Sequence, residues 1–143
     1  MAKVLVCDDD ASVRLLLRKV LEADRHEVHE AQTGLEALRQ IEALEPTVVV
    51  LDIRMPELDG LGVLERLRSR SDRERFGVIL LTASVSDADV HRGWKLGTDA
   101  YIQKPFDPSE LLQLVQDLAW RKRRTQRAVF RQEIGEIQPR PLG

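Results

Sequence analysis

Short, densely apolar runs alternate along the chain with longer segments whose apolar residues recur every three or four positions. The runs KVLVC (3–7), EVHEA (27–31), TVVVLD (47–52), GVILLT (77–82) and DAYIQ (99–103) have the length and composition of β-strands. Between the first two, Val13, Leu16, Leu17, Val20 and Leu21 fall on one face of a helix; Leu35 and Leu38 mark a second helix, and Leu61, Leu64 and Leu67 a third. The segment 86–96 is the least periodic of the helices. A last helix, opened by Asp107 and Pro108, carries a stripe of Leu111, Leu114, Val115 and Leu118.

A repeating βα pattern implies a parallel sheet with helices on both faces, which explains why the first, third and fourth runs are continuously apolar rather than alternating. The expected fold class is therefore α/β: a flavodoxin-like (βα)5, doubly wound, five-stranded parallel sheet. The order 2-1-3-4-5 is taken from the common arrangement of such sheets, and ligands there bind beyond the carboxyl ends of the strands, where the order reverses. At those ends stand Asp8, Asp9 and Asp10 after the first strand, Asp52 closing the third, Thr82 closing the fourth and Lys104 following the fifth.

Composition narrows the picture without naming a partner. The 143 residues fit one domain with a sizeable core. A net charge of -2 argues against a generally nucleic-acid-binding surface. The one cysteine, Cys7, excludes an intramolecular disulfide and reads as a small buried residue. His26, His29 and His91 lack metal-ligand spacing and read as surface or edge residues. No run has the length of a membrane span or the layout of a signal peptide, so the expected compartment is the cytoplasm.

The acids change the picture most. Carboxylates brought within a few ångströms of one another cost several kcal/mol unless a cation compensates or a proton remains bound. Oxygen-only ligands suit Mg²⁺ or Mn²⁺ rather than zinc. A carboxylate can also act as a nucleophile towards phosphorus, and the transferring group then needs metal, ammonium and hydroxyl around its oxygens. Asp52, Lys104 and Thr82 supply such parts, whereas Asp10 reads as the cap of the first helix.

Taken together, the acidic pair Asp8 and Asp9, DIRMPELDG from Asp52, LTA at residues 81–83 and YIQKPF from Tyr101 resemble a response-regulator receiver domain of two-component signalling over about residues 1–120. The resemblance implies that Asp52 accepts a phosphoryl group from a sensor histidine kinase or phosphotransfer protein. Asp8, Asp9 and Asp52 would bind Mg²⁺ with the backbone carbonyl of Arg54, and Lys104 would contact the phosphoryl group. Thr82 and Tyr101 would switch, altering the face made by the fourth helix, fifth strand and fifth helix, with a phosphorylation-dependent homodimer as one output. Such a module catalyses its own phosphorylation and dephosphorylation only and is no enzyme in the turnover sense. The resemblance also implies that Arg54 and Ser84 flank the phosphoryl group, and that the Lys104–Pro105 bond is cis.

The stretch 66–77 reads as a solvated helix end and loop of mixed charge. Residues 121–143 form a basic tail with Arg121, Lys122, Arg123, Arg124, Arg127 and Arg131. Its leading reading is a continuation of the fifth helix as a linker towards an unknown effector, ended by Gly135, Pro139 and Pro141, which suits an excised receiver slightly better than a stand-alone one. A partner contact through Val129, Phe130, Ile134 and Ile137, or nucleic-acid binding by the tail, remain alternatives; the receiver part itself is not expected to bind nucleic acid or membrane.

Two rival functions share the chemistry. An Mg²⁺-dependent aspartate-nucleophile phosphohydrolase would carry its nucleophile in an Asp-x-Asp motif after the first strand, followed by Gly-Thr or Gly-Val; DDDAS lacks that continuation, and the chain leaves no room for a cap. A flavin-binding protein would need a Ser/Thr/Gly-rich phosphate loop there, where three acids stand instead.

Overall fold

The computed structural model describes residues 1–83 and 86–133, with the side chains of all of these except Asp87 and 125–133. The expectations placed on Ser84, on the contacts of Val129 and Phe130, and on the segment from Ile134 onward lie outside the described residues. The chain runs β1 (Lys3–Cys7), α1 (Ala11–Ala23), β2 (Glu27–Ala31), α2 (Gly34–Leu44), β3 (Val48–Asp52), α3 (Gly60–Arg68), a 3₁₀ turn (Arg73–Arg75), β4 (Gly77–Thr82), α4 (Asp87–Leu96), β5 (Ala100–Gln103) and α5 (Pro108–Glu133). All strand pairs are parallel, in the order 2-1-3-4-5. Thr47 and Asp99, read as strand residues from the sequence, lie just outside β3 and β5.

Helix starts follow local chemistry. Asp10, Thr33, Asp59 and Ser86 each accept a hydrogen bond from a backbone N–H of the first turn, satisfying donors that have no partner inside the helix. Pro108 opens α5, where its missing N–H costs nothing, and Gly97 ends α4 with φ +95°, a left-handed conformation suited to glycine.

The pleat divides the core in two. Val4, Val6, Val48, Val50, Ile79, Leu81 and Ile102 face α1 and α5, meeting Leu17, Leu21, Leu111, Val115 and Leu118. Leu5, Cys7, Val49, Leu51, Val78 and Leu80 face the other way, onto Ala37, Ile41, Leu61, Leu64 and Leu67. Each such Val, Leu or Ile side chain stabilises the fold by about 1.5–3 kcal/mol when fully buried.

Several sequence expectations need correction. Leu16 is 49% exposed, because the buried stripe of α1 runs through Arg14, Leu17 and Leu21 instead. Leu35 is exposed, since α2 turns Gly34, Ala37 and Ile41 inward. His26 is buried, its Nδ1 accepting from the Ala2 N–H at 3.0 Å while burial holds its pKa below the usual imidazole value against the opposing pull of Asp24.

The mixed-charge stretch 66–77 is only partly solvated: Arg66, Ser69, Ser71, Arg73 and Glu74 are exposed, but Arg68 and Arg70 are tied into the fold. Arg68 donates to the carbonyls of Gly97 (2.9 Å), Arg73 (2.6 Å) and Phe76 (2.9 Å) and to Asp99 Oδ2 (2.8 Å). Arg70 lies over the Phe76 ring at 5.3 Å and pairs with Glu42 and Asp72. Asp99 also accepts from the Val78 N–H at 2.8 Å and faces Lys122 Nζ at 3.6 Å. Lys122, assigned to the tail from sequence, is therefore buried against the domain, and Arg123 donates to the Met1 carbonyl at 2.6 Å. The contacts of α5 with the rest of the domain continue past Trp120.

Arg68→Ala strips the starts of β4 and β5 of a shared guanidinium and leaves the Asp99 carboxylate largely enclosed. We expect a loss of about 3 kcal/mol in urea unfolding, with Arg68→Lys recovering only part of it. A change under about 0.5 kcal/mol, the range of ordinary surface substitutions, would contradict this role.

Candidate functional site

The carboxyl edge of the sheet gathers the residues singled out from sequence. Asp52 is the last residue of β3 and is 6% exposed; Asp8 follows β1 and is fully buried, while Asp9 is exposed. One carboxylate oxygen from each of Asp8, Asp9 and Asp52 lies within 4.8 Å of the others. Lys104 Nζ approaches Asp8 Oδ2 at 2.8 Å and Asp52 Oδ2 at 3.4 Å. The first approach is an ion pair without hydrogen-bond alignment, so the buried Asp8 Oδ2 keeps lone-pair capacity.

Four strand ends build this cluster. The Asp8 N–H donates to the Ala31 carbonyl at 3.1 Å, and Asp8 Oδ1 accepts from the Asp10 N–H at 2.9 Å. The Ile53 N–H donates to Leu81 at 3.1 Å, and the Arg54 N–H reaches Asp52 Oδ1 at 3.3 Å. The Lys104 N–H donates to the carbonyl of buried Thr82 at 2.7 Å, and the Lys104–Pro105 bond is cis. Behind Asp52, the loop turns through Glu57 at φ +70°, with the Leu58 N–H donating to the Pro56 carbonyl at 2.8 Å. Gly60 then packs so closely that a Cβ would overlap the Asp52 carbonyl oxygen.

Electrostatics follow from this crowding. Burial, and then the neighbouring Asp8, push the Asp52 carboxyl up to about 6, against the opposing pull of Lys104 and the Arg54 N–H. Burial works against the charged Lys104 ammonium, but Asp8 and Asp52 outweigh it and hold its pKa above the usual lysine value. The donor set suits a hard divalent cation: three oxygen ligands, an incompletely satisfied buried oxygen and no nitrogen or sulfur ligand among them. An open polar cleft beside it includes Asp9, Arg54, Asp59 and Arg92 in its walls.

Tyr101 occupies a different part of this edge. Its hydroxyl is shared between the Asp89 and Val90 carbonyls of α4, at 2.7 and 3.2 Å, and its ring meets Trp94 edge-on at 5.6 Å between centroids. Gly93 makes this seat possible, since a Cβ there would overlap the Tyr101 hydroxyl. Sequence reasoning passed over Gly93, and also Arg14, whose Nη1 donates to the Asp8 carbonyl at 2.8 Å. The available signal for Arg14 was a charge at the helical spacing of Leu17 and Leu21.

Known proteins with the same pattern give the geometry its context. The family model for the response regulator receiver domain matches residues 4–116. A probable transcriptional regulator, ycf27 of Cyanophora paradoxa, is 45% identical over 109 residues, covering 76% of this chain and 44% of the relative. The alkaline phosphatase synthesis transcriptional regulatory protein PhoP of Bacillus subtilis (strain 168) is 39% identical over 109 residues, covering 76% and 45%. This chain thus spans less than half the length of these curated relatives. Among solved structures, the receiver domain of the Francisella response regulator 1452 superposes with a TM-score of 0.78 at 36% identity, covering 85% of this chain and 98% of that one. Among the described residues, no helix is long and apolar enough to cross a membrane. With the sheet order, the edge acids and a family match spanning most of the fold in agreement, the chain belongs to the response-regulator receiver domains of two-component signalling.

Proposed function

We propose that Asp52 is the phosphoacceptor of a signalling switch, charged by a histidine kinase or phosphotransfer protein and dependent on Mg²⁺, with Mn²⁺ able to substitute. The observation that carries this reading is the convergence of Asp8, Asp9 and Asp52 within 4.8 Å around a lysine ammonium. Asp8, Asp9, Asp52 and the Arg54 carbonyl would hold the cation, which when bound neutralises the acids and the transferring phosphoryl oxygens. An oxygen of Asp52 attacks phosphorus as the bond to the donor nitrogen breaks, and the donor imidazole leaves. Lys104, already beside Asp52, then pairs with a phosphoryl oxygen and Thr82 offers its hydroxyl to another.

The new phosphate brings roughly -1.5 to -2 charges to a site that a lysine already bridges. Drawing Thr82 towards it gives Tyr101 a second position, and Tyr101 is bonded to α4, so the rearrangement reaches the α4–β5–α5 face. A homodimer or an effector reading that face is the proposed output, with residues 1–120 as the receiver and 121–143 as the connecting segment. The proposed compartment is the cytoplasm, where such a donor and Mg²⁺ would be met. The chain acts on its own aspartate rather than turning over a substrate.

Incubation with acetyl phosphate and Mg²⁺ should add one phosphoryl mass, lost in Asp52→Asn and prevented by a chelator. No adduct, or an equal adduct in the variant, would refute the assignment. Steady release of phosphate from monoesters would favour the phosphohydrolase reading instead.

The pH dependence has a definite sign. In the metal-free protein Asp52 titrates at about 6 against an ordinary 3.8, so the fold favours the protonated acid. The resulting penalty is absent below the ordinary value, grows as pH rises, and is complete above about 6. Asp52→Asn should therefore raise stability by about 1–3 kcal/mol at pH 8 and by little at pH 4 in metal-free urea unfolding. An equal effect at both pH values would contradict the assignment of a raised pKa.

A further inference from the structure

Arg14 is a charged residue on the buried stripe of α1, with a side chain only 11% exposed. Its Nη1 donates to the Asp8 carbonyl at 2.8 Å in buried surroundings, and its Nε donates to Glu30 Oε1 at 2.9 Å. Glu30, in β2, accepts from Arg18 Nε through its other oxygen at 2.8 Å, and Arg18 pairs with Glu22 at 3.0 Å. The Arg14 guanidinium is thus itself held in place from a neighbouring strand.

What it holds matters for the acids. The Asp8 carbonyl and the Asp9 N–H belong to one rigid peptide plane, so fixing that carbonyl sets the direction in which both residues leave the backbone. The Asp8 N–H is tied to Ala31, Oδ1 accepts from the Asp10 N–H, and Oδ2 faces Lys104. The bond from Arg14 is a further tie on this turn, and it comes from a buried side chain of α1 rather than from the turn itself.

We propose that Arg14 is a positioning residue for divalent-cation binding: through the Asp8 carbonyl it aligns the Asp8 and Asp9 carboxylates with Asp52. The inference rests on the reading of these acids as a cation site. It also makes a sign prediction that charge alone reverses. A nearby guanidinium repels a cation, so if Arg14 acted only through its field, its removal would strengthen binding. Positioning predicts weaker binding.

The test uses the full chain with Mn²⁺ as probe, bound metal being counted by electron paramagnetic resonance and folding checked by thermal melts. Arg14→Gln should weaken Mn²⁺ binding about tenfold and Arg14→Lys about threefold, whereas Arg18→Gln, which loosens Glu30 without touching Asp8, should stay within about twofold. If Arg14→Gln does not fold, Arg14→Lys decides, and a folded Arg14→Lys with wild-type affinity would overturn the proposal. A folded Arg14→Gln that binds Mn²⁺ equally or more tightly would overturn it too, leaving the cation site itself intact. A wild-type chain that binds no Mn²⁺ would remove both the cation site and this role for Arg14.

Discussion

The structure is organised around a repulsion. Three carboxylates meet at the edge of the sheet with oxygens within 4.8 Å of one another, and a pair of like charges at about 4 Å costs about 4 kcal/mol where the effective dielectric is near 20. Lys104 relieves part of this by bridging Asp8 and Asp52, and the Asp52 carboxyl relieves more by titrating upward. Neither satisfies Asp8 Oδ2 fully. The site is therefore left in a state that a bound cation would complete, which suits the switch proposed above.

Holding such a cluster demands a rigid frame. Continuous apolar residues in β1, β3 and β4 pack on both faces of the sheet, so Asp8, Asp52 and Thr82 are carried on elements that resist local adjustment. Gly60 brings α3 against the Asp52 carbonyl, and Arg14 reaches from α1 to the Asp8 carbonyl. At the opposite edge, Arg68, Asp99 and Lys122 tie the starts of β4 and β5 to α5. β5 thus has an ionic anchor at its start, Tyr101 in its first half and Lys104 just past its end, which links the site to α5.

The sheet and its edge were legible in the sequence because both rest on simple regularities. Short, continuously apolar runs mark the strands and a period of 3.6 the helices, and parallel strands place their final residues on one side. Asp8, Asp9, Asp52, Thr82 and Lys104 could thus be grouped before any coordinates. What escaped was long-range polar satisfaction. Arg68 looks like any residue of a solvated stretch of mixed charge, yet its partners come from 5 to 31 positions away. Lys122 looks like tail, yet Asp99 draws it inward. Leu16 and Leu35 were misassigned for a related reason: Arg14 and the small residues Gly34 and Ala37 occupy the inward positions that hydrophobicity alone would give to leucine.

The coupling between the Asp52 carboxyl and its surroundings can be observed directly by following its carboxyl carbon by NMR as pH is varied, with and without Mg²⁺. The central claim predicts a midpoint near 6 in the metal-free protein, moving well below that when Mg²⁺ is present. An ordinary aspartate midpoint in both conditions, unmoved by the cation, would contradict it.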